Sequence, residues 1–133
     1  MTQLSEVVGI GDIYAAKLLD AGIETLRQFL EAGSTPQDRL VLAEKTGISR
    51  RRILRWVKRV DPFKAIDIGG KSFSLLKAAG VNSVPKLTSF DPLDLFELLV
   101  EVNKGKKYVK KVPPPRKVEN WIKAGEELPK IIA

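Results

Sequence analysis

GIGDIYAAKLLDAGIETLRQF, residues 9–29, decides the fold, because DIGGKSFSLLKAAGVNSVPKL, residues 67–87, repeats it at a constant offset of 58. Ile10 and Ile68, Gly11 and Gly69, Leu18 and Leu76, Ala21 and Ala79, and Gly22 and Gly80 are identical pairs. Ile23/Val81, Thr25/Ser83 and Leu26/Val84 keep the chemical type. Self-similarity at a fixed offset marks one structural unit used twice.

Each copy has the same grammar. It opens on a hydrophobe–glycine loop, where glycine supplies backbone conformations that other residues avoid. A helix follows, with apolar residues at helical spacing: Ile13, Ala16 and Leu19 in the first copy, Leu75, Leu76 and Ala79 in the second. The helix is predicted to stop at Ala-Gly, with glycine beyond its last turn. Ile23 or Val81 is then a hydrophobic anchor, and Thr25 or Ser83 the N-cap of the next helix.

The halves stay parallel downstream. Thr35-Pro36 opens a predicted helix through Leu40, Leu42 and Ala43, ended by Gly47, and Ser49 caps another containing Ile53, Trp56, Val57 and Val60. Asp91-Pro92 opens a helix through Leu95, Leu98, Leu99 and Val102, with Asp94 placed favourably for the helix dipole. Beyond Pro113–Pro115, a final helix is predicted to hold Val118, Trp121, Ile122 and Leu128. Lys107–Val112 alternates weakly, but a single short segment has no strand to pair with. The expected class is all-α, with Asp61-Pro62 as the junction between residues 1–62 and residues 63–133. Each half of about 60 residues buries a marginal core alone, so both are expected to pack into one compact unit.

Composition excludes several chemistries. The chain has no cysteine and no histidine, which removes disulfides, zinc sites of Cys/His type, thiol nucleophiles and imidazole acid–base catalysis. No apolar run approaches the roughly 20 residues that span a bilayer. The opening MTQLSEVVGIG lacks the basic head and apolar stretch of a signal peptide, so the expected location is the cytoplasm, without a membrane partner. A net charge of +7 points to an anionic partner, nucleic acid first.

Val8-Gly9-Ile10-Gly11, followed by Ala15, Leu18, Ala21-Gly22-Ile23 and Leu26, resembles the helix-hairpin-helix motif, which binds DNA without sequence preference. GIGDIYAAKLLDAGIETL, RLVLAEKTGISRRRILRW, LLVEVNKGKKYVKKVPPP and VENWI extend the likeness over nearly the whole chain. They are similar to small tandem helix-hairpin-helix proteins catalogued as a domain of unknown function. The resemblance implies two tandem helix-hairpin-helix repeats, each followed by two further helices; the expected partner is nucleic acid, as double-stranded DNA. In such hairpins the glycine turn lets the backbone approach a sugar-phosphate chain, while amides opening the next helix face a phosphate oxygen. The resemblance also permits a monovalent cation on the loop carbonyls; no other cofactor or metal is expected.

The candidate contacts fall into four groups. Gly9, Ile10 and Gly11 form the first loop, followed at once by Asp12, whose carboxylate would repel a phosphate. Gly69, Gly70, Lys71 and Ser72 form the second, where a cation and a hydroxyl stand beside the amides, making it the better cradle of the two. Arg51, Arg52, Arg55 and Arg59 lie with Arg50 and Lys58 on one helix that carries no acid. Arg51 and Arg55 share a face opposite Ile53, Val57 and Val60. Lys104, Lys106, Lys107, Lys110 and Lys111 make an acid-free segment around Tyr108.

Gly69-Gly70-Lys71-Ser72 lacks the glycine spacing and preceding strand of a nucleotide-binding loop. The Asp91/Asp94 and Glu97/Glu101 pairs read as capping and helix-surface residues. The expected function is therefore a non-catalytic module that contacts DNA backbone phosphates, not an enzyme. The alternative is a protein–protein interaction adaptor using the same helices.

Overall fold

A computed structural model describes residues 4–7 and 9–132; Val8, the first residue of the quoted motif, lies outside them. Every regular element among the described residues is helical, and Lys107–Val112 forms no strand. The chain divides into two units. One contains the described residues to Ala65 together with 128–132, and the other is Ile66–Glu127.

The first unit holds α1 (Gly11–Asp20), α2 (Leu26–Ala32), α3 (Pro36–Thr46) and α4 (Arg50–Arg59). Helix α3 packs on α4, and both α1 and α2 contact α3. Leu18, Phe29, Leu30, Ile53, Trp56 and Val57 are the centre of its core. The second unit holds α5 (Gly70–Ala78), α6 (Val84–Thr88), α7 (Pro92–Gly105) and α8 (Pro115–Glu126). Helix α7 packs on α8 and α5, and α6 packs on α8. Leu75, Leu76, Val81, Leu87, Leu95, Leu99 and Val118 are fully buried.

The repeated sequence becomes a repeated hydrogen-bond pattern. At the end of α1, Ile23 N–H donates to Leu18 O at 2.9 Å and Gly22 N–H to Leu19 O at 2.9 Å. At the end of α5, Val81 N–H donates to Leu76 O at 2.9 Å and Gly80 N–H to Lys77 O at 3.0 Å. This pair of closing bonds requires a left-handed residue, and Gly22 (φ +89°) and Gly80 (φ +85°) supply it. Three residues on from each glycine the next helix is capped: Thr25 Oγ1 accepts from Gln28 N–H and Ser83 Oγ from Lys86 N–H. Gln28 returns a bond to Thr25 N–H, completing a reciprocal cap; Lys86 in the matching place has no acceptor to offer. Thr35, Ser49 and Asp91 cap α3, α4 and α7 with their side-chain oxygens.

Two details differ from the sequence reading. Ile13 and Leu19 are 76% and 54% exposed, and Ala16 is exposed too. Helix α1 instead turns Leu18 to the core, with Tyr14 and Ala15 half-buried beside it. Apolar residues occupy nearly the whole circumference of α1, so spacing alone does not choose a face. The closing bond chooses it, because it sets Leu18 beside the anchor Ile23. The second difference is Leu128, which lies beyond α8. It precedes Pro129, and the residue before proline is pushed out of the helical region.

Gly33 ends α2 against the back of α4. A Cβ there would lie 2.6 Å from Val57 Cγ1 and 3.3 Å from Phe29 O. Gly33→Ala is therefore expected to cost about 1–3 kcal/mol through overpacking, read as a lower urea midpoint at unchanged m-value.

Candidate functional site

The first glycine loop is built on α4. Gly9 (φ +94°) and Gly11 (φ +68°) both adopt left-handed backbone, while Ile10 between them is buried. A Cβ on Gly9 would lie 2.9 Å from Arg59 Nη1 and 3.0 Å from Trp56 Nε1, so glycine is needed for approach as well as for φ. Helix α1 then starts with no side-chain cap. Its first amides lack the partner that a capping side chain would give, and the dipole leaves them partly positive. Asp12 is exposed in that first turn.

An aromatic pair joins the loop helix to the arginine helix. Tyr14 meets Trp56 edge-on, with ring centroids 5.1 Å apart and planes at 60°. The Arg52 guanidinium lies 4.9 Å from the Tyr14 centroid and donates to the Tyr14 hydroxyl. Lys17 Nζ sits 5.6 Å from the same ring. Arg52 and Lys17 thus flank the Tyr14 ring, and Arg59 lies against Gly9 ahead of α1. Tyr14 and Lys17 escaped the sequence reading as site residues. Lys17 reaches the site through Tyr14, and the Tyr14 partner Arg52 lies 38 residues along the chain, beyond any local pattern.

Helix α4 buries Ile53, Trp56 and Val57 and exposes Arg50, Arg51, Arg55, Lys58 and Arg59. Among the described residues Arg51 and Arg55 have no ion-pair partner, so their charge is open to solvent.

The second loop differs in kind. Ile68 is buried, but Gly69 (φ −59°) and Gly70 have ordinary backbone, and a Cβ on either would meet nothing within 4 Å. Neither the fold nor a close neighbour demands glycine at these two places. Lys71 is exposed and Ser72 half-buried behind them.

The lysine segment hangs from a pinned turn. Asn103 Oδ1 accepts from Tyr108 N–H at 2.8 Å and from Val109 N–H at 3.2 Å, and Asn103 Nδ2 donates to Val109 O at 3.1 Å. Val109 and Pro113 are buried, leaving Lys104, Lys106, Lys107, Lys110 and Lys111 exposed. Lys104 meets Glu101 at 3.0 Å in an exposed pair, an interaction worth little in water. Lys106 Nζ stands 5.2 Å from the half-buried Tyr108 ring.

Among the described residues no group of three or more His, Cys, Asp or Glu side chains is arranged to hold a metal ion, and no helix is long and apolar enough to cross a membrane. These elements define an all-helical protein with two similar glycine-closed helix pairs and exposed basic surfaces. The chain matches the family described as Domain of unknown function (DUF4332) over residues 8–128, and it belongs to that family. No curated protein and no solved structure matches it.

The contrast between the loops predicts opposite responses to one substitution. Gly9→Ala is expected to destabilise by about 1–3 kcal/mol, from left-handed strain and contact with the Trp56 indole. Gly70→Ala, in open space at the first position of α5, is expected to be neutral or to stabilise by up to about 1 kcal/mol. Urea unfolding followed by tryptophan fluorescence reads both.

Proposed function

We propose that the chain is a tandem helix-hairpin-helix module that binds double-stranded DNA through its backbone phosphates, with little base preference and no catalysis. The observation that carries this reading is the seating of the Gly9–Gly11 loop on α4. It sets an uncapped helix start beside Arg59, with Arg52 and Lys17 around Tyr14 of that helix and Arg51 and Arg55 open on α4. Amides and guanidinium groups are the donors that phosphate oxygens take, and the open charges release counterions from a duplex. The space above Gly69 and Gly70 supports a second contact in which the backbone itself comes near the phosphate. Asp12 weighs against the first loop and the arginines weigh for it, so both loops enter the proposal.

A protein partner is the second reading, favoured by Ile13 and Leu19 standing exposed on α1. Salt separates the two. Phosphate binding predicts that log K falls linearly with log salt, by about 0.9 for each phosphate neutralised. The double change Arg51→Ala with Arg55→Ala should lower that slope by about 2. Affinity that stays flat from low to physiological salt would favour the adaptor. Within the DNA reading, Gly70→Val should weaken binding by blocking backbone approach, and Asp12→Asn should leave it equal or tighter. If Gly70→Val binds as wild type while neutralising Lys104–Lys111 abolishes binding, the second loop is only structural.

A further inference from the structure

We propose that residues 128–132 form a clasp that closes the first unit and holds the arginine-bearing helix α4 in its seat. The segment leaves α8 at Glu127, and Pro129 keeps it from continuing as helix. It then meets the turn between α2 and α3 outside any regular element. Ile132 N–H donates to Ser34 O at 2.7 Å, and Ile132 O accepts from Arg39 Nη2 at 2.6 Å. Both main-chain groups of one residue are thereby used, as when an extended peptide adds to a receptor by its backbone. Leu128 and Ile131 pack, half-buried, against the core of this unit.

Arg39 is the pivot. It is only 3% exposed, and its other nitrogen, Nη1, donates to Gly33 O at 2.8 Å. A guanidinium cannot shed its charge, so burial is tolerable only while its donors have acceptors. Removing Ile132 takes away one of the two carbonyls that receive this buried cation. The other belongs to Gly33, which has no room to shift towards α4, because Val57 Cγ1 and Ile53 Cγ2 lie against it. A continuous path of packed groups therefore runs from Ile132 through Arg39 and Gly33 to α4. Opening the clasp forces Arg39 towards water, disturbs the Gly33 turn and loosens the helix that carries Arg51 and Arg55.

Amide hydrogen exchange on the full chain tests the clasp without reference to any ligand. In the wild type the Ile132 amide should be protected and should not depend on protein concentration. Ile131→Asp, which drives the segment into solvent, should speed exchange at Ile132 by about tenfold or more and should speed exchange at Val57 and Val60 in the same direction. Arg39→Met should act likewise; if it does not fold, Ile131→Asp carries the test. An Ile132 amide exchanging as in an unstructured chain would overturn the proposal, as would unchanged protection of α4 in Ile131→Asp. Protection that is lost on dilution together with a dimer would also overturn it, since the segment would then belong to a second copy.

Discussion

The bond that the rest of the architecture depends on runs from the amide of the residue after glycine to a carbonyl five residues back. Ile23 to Leu18 and Val81 to Leu76 are its two instances. Each reverses the chain without exposing a helix end, and each pairs a buried leucine with a buried or half-buried anchor. That pairing orients the helix before it and delivers Thr25 or Ser83 to cap the helix after it. The helix pair is thereby held as a bracket, and its opening loop is carried to a defined place. In the first unit that place is the side of α4, where Trp56 and Arg59 leave room for glycine alone.

The two loops show how one sequence pattern serves two physical ends. Gly9 and Gly11 are glycine because the backbone turns left-handed, and Gly9 also because an indole lies against the chain there. Gly69 and Gly70 meet neither condition, and what they leave is exposed backbone beside Lys71. Identical residues at matched positions therefore do not imply identical reasons. Asp67, standing where the first copy has Gly9, already marked the divergence.

Much of the fold was legible because its signals are local. Gly22 and Gly80 as helix stops, and Thr25, Ser83, Thr35, Ser49 and Asp91 as caps, depend on bonds spanning two to five residues. The arginine face of α4 was legible for the same reason, since Ile53 and Val57 lie one turn apart opposite Arg51 and Arg55. What stayed hidden depends on tertiary partners. The buried side of α1 was misread because Ile13, Tyr14, Ala15, Ala16, Leu18 and Leu19 satisfy several helical stripes at once. Tyr14 and Lys17 became part of the candidate patch only through Arg52 and Trp56. Arg39 carried no signal at all, because nothing near it in the sequence announces an acceptor at Ile132.

On the proposed reading, the Gly9–Gly11 loop and α4 meet one ligand together, a DNA duplex. Titrating isotope-labelled protein with a short DNA duplex at low salt, with two-dimensional NMR of backbone amides and arginine side chains, tests it most directly. The amides of Gly11, Asp12 and Ile13 and the side chains of Arg51, Arg55 and Arg59 should shift along one binding curve, and should do so for unrelated DNA sequences. Shifts confined to the lysine segment, with the loop and α4 unmoved, would contradict it.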